Sequence, residues 1–197
     1  MSPRRSRAVP GNHGDLSTPR PAEAAARLSP ASVTVAAVAV VAGFITGGVS
    51  YLHRSPAPVH NTAGTAAWGA HFALTAAAAV WIVAACRFRR RHGRVGVPLL
   101  LTPLGAGAAH RLGLTSRTSP GRTLAVAPLI ALLVYNAWRV GEQVIGGVDP
   151  HFTADAWGGP TYLGAMYCHY LDVGLISAAA ALLINRILLK PGTRQTR

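Results

Sequence analysis

Residues 32–51 read SVTVAAVAVVAGFITGGVSY, a run of 20 residues that contains no charged side chain. At about 1.5 Å of rise per residue, a helix of this length crosses the roughly 30 Å of hydrocarbon in a bilayer. Backbone groups in hydrocarbon must find hydrogen-bond partners within their own segment, so a helix is the expected form. The run therefore predicts a transmembrane helix, and Gly43 and Gly47 form a G-x-x-x-G pattern on it that favours close helix packing.

Three further apolar runs are long enough to cross a bilayer, at residues 66–86, 124–145 and 162–189. The composition agrees, because 50% of the 197 residues are hydrophobic and only 13% are charged. That is too little charge for the surface of a soluble protein of this size. The sequence therefore predicts an all-α polytopic membrane protein whose residues 31–190 form a domain of four transmembrane helices.

The basic residues indicate how the chain threads the membrane. They number 19 against 6 acidic residues, which gives a net charge of +13, and they lie in blocks between the apolar runs. We expect no nucleic-acid partner from such a distribution, which is typical of cytoplasmic loops. The loop after the first run contains only Arg54 and the loop after the third run contains no basic residue. Eight arginines separate the second and third runs: Arg87, Arg89, Arg90, Arg91, Arg94, Arg111, Arg117 and Arg122. Both termini are therefore predicted to be cytoplasmic, in a bacterial cell membrane.

Two segments outside the spans have a distinct composition. Residues 1–30 combine five prolines with five arginines and cannot form a core, which predicts a disordered cytoplasmic tail. A second short cytoplasmic tail covers residues 191–197. The apolar run at 95–109 is short, contains prolines and glycines, and has arginines on both sides. It is predicted to be an interfacial or re-entrant segment, because a fifth crossing would place one arginine block outside.

The third span has a polar outer half. Asn136, Arg139, Glu142 and Gln143 fall within about one third of the helix circumference at 100° per residue, so they face one cavity or one partner helix. Arg139 and Glu142 are three residues apart and can pair. An ionisable residue deep in a span costs roughly 2.5 to 3.5 kcal/mol on insertion scales. The third span therefore contains ionisable residues whose insertion cost is not explained by ordinary helix packing.

The fourth and second spans contribute further ionisable residues to the same outer half. His169 and Asp172 are three residues apart, so the carboxylate can fix the imidazole tautomer, and Tyr162 lies one heptad before His169 on the same face. His71 lies near the outer end of the second span beside Trp68, where an interfacial polar residue is the simplest interpretation. We therefore hypothesise a polar cavity in the outer half, although such residues can also pair across helices and fix the geometry of the bundle.

Three functions remain open from the sequence. The first is an accessory or binding subunit whose polar pocket holds a lipophilic small molecule or whose polar groups bind a partner membrane subunit. The second is an acid/base enzyme of the isomerase or cyclase type acting on an isoprenoid-like substrate. Its catalytic residues would be Asp172, His169, Glu142 and Arg139, and its substrate-binding residues would be Asn136, Gln143 and Tyr162.

The third function is that of a b-type haem electron carrier, with the haem held between His71 and His169. Apart from this alternative no cofactor is expected. A zinc site is not expected either, because the sequence contains no H-E-x-x-H motif and no paired cysteines.

Overall fold

A computed structural model describes residues 28–91 and 99–190 of the chain. The helices, in chain order, are α1 (Pro30–Leu52), α2 (Trp68–Arg91), a 3-10 segment (Leu99–Leu104), α3 (Ala106–Thr118), α4 (Pro120–Gly146), α5 (Pro150–Thr153) and α6 (Tyr162–Ile187). Within these described ranges no strand occurs, and α1, α2, α4 and α6 are each long and apolar enough to cross a membrane. The prediction of an all-α polytopic membrane protein is confirmed. The predicted tail residues 1–27 and 191–197 lie outside the described residues, as do residues 92–98.

Two of the long helices, α1 and α6, begin at a capping residue. The Ser29 hydroxyl accepts from the backbone N–H of Ser32 at 3.4 Å, and Pro30 occupies the first turn of α1. Thr161 caps α6 in the same way, accepting from the backbone N–H of Gly164 at 3.2 Å. A hydroxyl at this position satisfies one of the N–H groups that a helix leaves unpaired at its start.

Helices α1 and α4 pack along their length through glycine. A Cβ atom added at Gly43 would fall on the carbonyl oxygen of Trp138, and one added at Gly141 would fall on the carbonyl oxygen of Val40. The two backbones are therefore closer at these positions than a residue with a Cβ atom would allow. The prediction that Gly43 and Gly47 favour close packing is confirmed: Gly43 lies against the backbone of α4 at Trp138 and Gly141, and Gly47 lies against it at Glu142 and Gly146.

The bundle has two distinct ends. At the loop end, segments 53–67 and 147–161 contact each other: the N–H of Thr62 donates to Asp155 at 2.6 Å, and that of Gly158 donates to the carbonyl oxygen of Ala66 at 2.7 Å. At the terminal end, the start of α1 and the end of α6 lie beside the 3-10 segment and α3. Within the interfacial segment predicted at 95–109, residues 99–104 form the 3-10 segment and residues 106–109 begin α3, which continues to Thr118.

Helix α3 binds the end of α6 through one arginine. Arg111 Nε donates to the carbonyl oxygen of Leu189 at 3.0 Å, and Nη1 donates to the Asn185 side chain at 2.6 Å. Its Nη2 donates to the carbonyl oxygens of Asn185 and Leu188 at 2.8 and 2.9 Å. Burial lowers the pKa of Arg111, yet a guanidinium stays protonated throughout the physiological range. Arg111 therefore satisfies the carbonyl groups that α6 leaves unpaired at its end.

Helix α2 packs against the bundle mainly near its loop end. Its single buried residue is His71, and Trp68 stacks on Tyr167 of α6 with ring centroids 6.1 Å apart. The Thr75 hydroxyl forms a hydrogen bond with the Tyr167 hydroxyl. Farther along, apolar side chains such as Val80 and Ile82 are exposed, as expected of a helix that faces lipid.

Candidate functional site: a polar cavity at the loop end

Four of the predicted site residues line one cavity at the loop end. This polar cavity has a volume of about 270 Å³ and lies between α4, α6 and segment 147–161. Arg139 and Gln143 reach it from α4, and His169 and Asp172 reach it from α6. The remaining wall is mostly apolar and consists of Phe152, Ala156, Trp157 and Ala165. Polar groups from two helices thus converge on one concave site, which is the usual form of a small-molecule pocket.

Arg139 is held by two neighbours on its own helix. Its Nη1 donates to the carboxylate of Glu142, and its Nη2 donates to Gln143 Oε1 at 3.2 Å. The predicted pairing of Arg139 with Glu142 is therefore present. These two bonds use two of the five N–H donors of a guanidinium, so Arg139 retains donors for a bound group. The Phe152 ring lies 5.7 Å from the guanidinium carbon, which fixes the position of the cation further.

Asp172 forms its ion pair with a histidine on a different helix. His71 Nε2 lies 3.3 Å from Asp172 Oδ2, and His71 Nδ1 lies 2.9 Å from the carbonyl oxygen of Ala67. The expectation from the sequence was that Asp172 orients His169, its neighbour on α6. His71 reaches the carboxylate instead because α2 packs on α6 at this level. His71 is also only 2% exposed, so its side chain is packed within the protein, and its position near the membrane interface stays a prediction.

The hydrogen bonds of His71 determine the proton count of this pair. A carbonyl oxygen only accepts, so Nδ1 of His71 must donate to Ala67. The contact between Nε2 and Asp172 then requires one further proton. Either an imidazolium faces a carboxylate or a neutral imidazole faces a carboxylic acid. In both forms the pair carries no net charge.

His169 is the least satisfied residue of the site. Its Nε2 is buried and has no hydrogen-bond partner among the residues that the structure describes. Leaving such an atom without a partner costs about 1 to 3 kcal/mol. Because His169 lines the polar cavity, a ligand group that reaches this nitrogen would remove the penalty.

Three other predicted residues do not line the polar cavity. Asn136 is buried deeper in the bundle and donates to the Ser177 hydroxyl at 3.0 Å, which links α4 to α6. The Tyr162 hydroxyl donates to the carbonyl oxygen of Val144 at 3.2 Å. Glu142 contributes to the site only by holding Arg139. Asn136 and Tyr162 thus stabilise contacts between helices, and the cavity is smaller than the sequence hypothesis proposed.

The sequence analysis missed the part of the wall that segment 147–161 provides. Trp157, which the sequence analysis did not include in the site, lies beside the His71 ring, with centroids 5.4 Å apart. Gly158 has φ +79°, and a Cβ atom there would fall on the carbonyl oxygen of Gly164. Only glycine fits this combination of backbone angle and close approach. The glycine directly after Trp157 was the signal in the sequence for a turn in this segment.

The cofactor hypotheses can be compared with these contacts. A bis-histidine haem would require one free nitrogen from each of His71 and His169, whereas the nitrogens of His71 face Ala67 and Asp172. Haem binding by His71 would therefore have to break its pair with Asp172, and the haem hypothesis stays a prediction. Across residues 28–91 and 99–190, no group of three or more histidine, cysteine, aspartate or glutamate side chains could hold a metal ion.

Comparison of the chain with protein families, curated proteins and solved structures finds no match.

Proposed function

We propose that this multi-pass membrane protein binds the polar end of a lipophilic small molecule in the polar cavity, as a binding or accessory subunit. The observation that carries the proposal is the convergence of Arg139, His169 and Asp172 on one cavity, together with the buried Nε2 of His169, which has no partner among the described residues. Ionisable residues within a span are costly, and a purely structural set would satisfy its own hydrogen bonds. The unpaired nitrogen and the spare donors of Arg139 instead favour a bound group.

The substitution His169→Leu tests this proposal. Leucine removes the unsatisfied nitrogen and introduces an apolar side chain of similar size, so the unliganded protein should be as stable as wild type or more stable. The measurement is mass spectrometry of the organic extract of purified protein, alongside its thermal unfolding temperature. We expect one lipophilic species to be enriched over bulk membrane lipid in wild type and lost in His169→Leu.

A matched control is His53→Leu, since His53 is exposed at the end of α1. This control should keep the enriched species. An extract that matches bulk lipid in wild type, or enrichment that survives His169→Leu, would overturn the proposal.

The accessory part of the proposal concerns a partner membrane subunit. It is supported by the small share of α2 that packs within the chain, since His71 is its one buried residue. Purification in a mild detergent should then yield a stoichiometric partner, while a clean monomer that still carries the enriched lipid would restrict the function to ligand binding.

A second candidate function is acid/base catalysis on an isoprenoid-like substrate, as an isomerase or cyclase. The observation that favours it is the contact of His71 Nε2 with Asp172 Oδ2 near the unpaired nitrogen of His169. Asp172 would donate a proton to a substrate double bond, and His169 would accept one from a neighbouring carbon. Asp172→Asn should then retain the bound species while abolishing its conversion to product. Loss of binding together with conversion would instead favour the binding function alone.

The orientation belongs to the same proposal. We place both termini in the cytoplasm of a bacterial cell, which puts the polar cavity in the outer half of the membrane, because the loop end has little basic charge. Reporter fusions after Arg54 and Asp155 should both be external. A cytoplasmic signal at either position would contradict this orientation.

A further inference from the structure

A second cavity extends from the terminal end into the middle of the bundle, and it shares no lining residue with the polar cavity. This apolar cavity has a volume of about 830 Å³ and is lined by α1, the 3-10 segment, α3, α4 and α6. Its wall is mostly aliphatic, with Leu104, Leu112 and Ile130 as examples. Val35 and Leu100 on this wall are 51% and 52% exposed, so the cavity opens to the surface of the bundle. A membrane lipid can therefore enter it from the bilayer.

The apolar cavity is long enough for the chain of a lipid. Its lining residues run from Thr123 to Val140 on α4, and from Val173 on α6 to Leu188 at the end of that helix. At about 1.5 Å of rise per residue, these two stretches are roughly 26 Å and 23 Å long. The chains of one leaflet reach about 15 Å deep, which is half of the roughly 30 Å of hydrocarbon in a bilayer. The cavity can therefore hold an acyl chain along its length.

Most hydroxyl groups of the lining lie at the terminal end, and we call this part of the apolar cavity its mouth. They belong to the start of α1, the last turns of α3 and the start of α4: Ser29, Ser32, Ser116 and Thr123. Farther in, Asn136 and Ser177 line the cavity and bond to each other at 3.0 Å. The cavity is thus polar at its mouth and mostly apolar along its depth, which suits a lipid whose head group lies at the terminal end.

Arg122 supplies a positive charge at the mouth. At 100° per residue it lies about 20° from Leu133 around α4, on the side of the helix that lines the cavity. It precedes the lining residue Thr123, and its Nη1 donates at 3.2 Å to the carbonyl oxygen of Ile187, which precedes the lining residue Leu188. Arg122 is exposed, and this bond uses one of the five N–H donors of its guanidinium. It therefore retains donors for a phosphate, which a guanidinium binds well.

The carboxylates and most basic residues lie at opposite ends of the bundle. Within residues 28–91 and 99–190, the carboxylate side chains all belong to the loop half: Glu142, Asp149, Asp155 and Asp172. The basic side chains toward the terminal end are Arg87, Arg89, Arg90, Arg91, Arg111, Arg117, Arg122, Arg186 and Lys190. An anionic head group at the mouth therefore meets positive charge without a repelling carboxylate from the described residues. Each basic residue near a membrane surface contributes about 1 kcal/mol to the attraction of anionic lipid.

From these observations we propose that the apolar cavity binds an anionic phospholipid, with one acyl chain along the cavity and the phosphate at Arg122 and the hydroxyl groups of the mouth. The charge identifies the occupant, because a lipid without net charge fits the aliphatic wall equally well but leaves the basic mouth without a counter-charge. Surrounding lipid is as apolar as the wall, so the chain adds packing contacts and the head group supplies the selectivity. This site is separate from the polar cavity and does not depend on the function proposed for it.

Photoactivatable phospholipids test the inference in the full-length protein in phosphatidylcholine nanodiscs. Two probes have the same diazirine in one acyl chain, and one has a phosphatidylglycerol and the other a phosphatidylcholine head group. We expect the phosphatidylglycerol probe to label Leu112 and Leu133 in the cavity about tenfold more than the other probe, a difference of about 1.4 kcal/mol. Equal labelling by the two probes, or labelling confined to lipid-facing residues such as Val80, would overturn the inference.

The position of the phosphate is tested by Arg122→Gln. Removing one cation from the mouth should reduce the preference for phosphatidylglycerol about fivefold, which corresponds to about 1 kcal/mol. The control is Arg90→Gln, which removes the same charge from an exposed position at the end of α2, a helix that contributes no residue to the apolar cavity. The control should keep the preference of wild type. Equal losses in the two variants would mean that only the general surface charge attracts the lipid, and would contradict the inference.

The position of the acyl chain is tested by filling the cavity. Gly113 lines the apolar cavity, and a Cβ atom there meets nothing within 4 Å, so Gly113→Phe should fold and reduce labelling of Leu133 about tenfold. Gly69→Phe is the control, because its Cβ is equally unobstructed but Gly69 does not line the cavity. Equal labelling of the two variants would contradict the inference.

The phospholipid is scored apart from the lipophilic species assigned to the polar cavity, since it belongs to the bulk lipid classes of the membrane. His169→Leu should therefore label like wild type with the phosphatidylglycerol probe, whether or not the polar cavity binds a ligand. Loss of labelling in His169→Leu would contradict a separate phospholipid site.

Discussion

Arg111 and Arg139 are both partly buried arginines in this protein, but they bind different kinds of partner. Arg111 at the terminal end donates to three backbone carbonyls and one side-chain amide at the end of α6. Arg139 at the loop end donates to two side chains and lines a cavity. An arginine whose donors are used by a helix end has a structural role. Arg139 lies beside a stretch of helix whose backbone is already satisfied, so it keeps donors available for a ligand.

The same contrast extends to the neighbours of each arginine. At the terminal end Thr115 is fully buried, and its hydroxyl donates to the carbonyl oxygen of Arg111 and accepts from the N–H of Leu189. Every one of these groups has a partner. At the loop end His169 Nε2 is buried without a partner among the described residues. A fully satisfied network rigidifies a fold, whereas an incomplete one at a cavity marks a candidate binding site.

The largest effect is expected at the terminal end. Arg111→Ala removes four hydrogen bonds from a charged group and leaves carbonyls at the end of α6 unpaired, which should cost about 3 kcal/mol or more of unfolding free energy. Thermal unfolding in detergent measures it. The control is Arg117→Ala, an exposed position on the same helix, which should change stability little. Equal stability of the two variants would remove the structural role of Arg111.

The Arg139 pair should respond differently. Arg139→Gln leaves Glu142, whose side chain is 12% exposed, without its cation and should cost about 2 kcal/mol. The double variant with Glu142→Gln removes both charges and should recover most of that stability. Both variants should lose the enriched lipid. A double variant that remains as unstable as the single would mean that Arg139 stabilises the fold through other contacts.

Substitutions at the two residues of the His71–Asp172 pair should change the free energy of unfolding by different amounts. Asp172→Asn keeps a hydrogen bond to Nε2 of His71 and adds no net charge, so unfolding should change little. His71→Ala leaves the Asp172 carboxylate without its partner and should cost about 1 to 2 kcal/mol. Thermal unfolding of the two variants checks this order, and the reverse order would mean that Asp172 has another essential partner.

Tyr162 should give the smallest effect. Tyr162→Phe removes one hydrogen bond to the carbonyl oxygen of Val144 and should cost at most about 1 kcal/mol. Because Tyr162 does not line the polar cavity, the lipid bound to the purified variant should match wild type in identity and amount. Loss of that lipid would restore Tyr162 to the substrate-binding role that the sequence suggested.

The sequence predicts the features that depend on one helix at a time. Four long apolar runs predict the spans, and the spacing of Arg139 and Glu142 predicts their pairing. The pairing of His71 with Asp172 depends on how α2 and α6 are rotated against each other, which no periodicity within one helix determines. Arg111 was counted as one of many cytoplasmic charges, because its role follows only from the position of α3 beside the end of α6.

The most direct test compares the lipid extracts of wild type, the double variant Arg139→Gln/Glu142→Gln and Arg117→Ala. All three should fold, since the double variant leaves no unpaired charge and Arg117 is exposed. If the polar cavity is the binding site, one lipophilic species is enriched in wild type and Arg117→Ala and absent from the double variant. Enrichment that persists in the double variant, or is missing from wild type, would contradict a ligand site at the loop end.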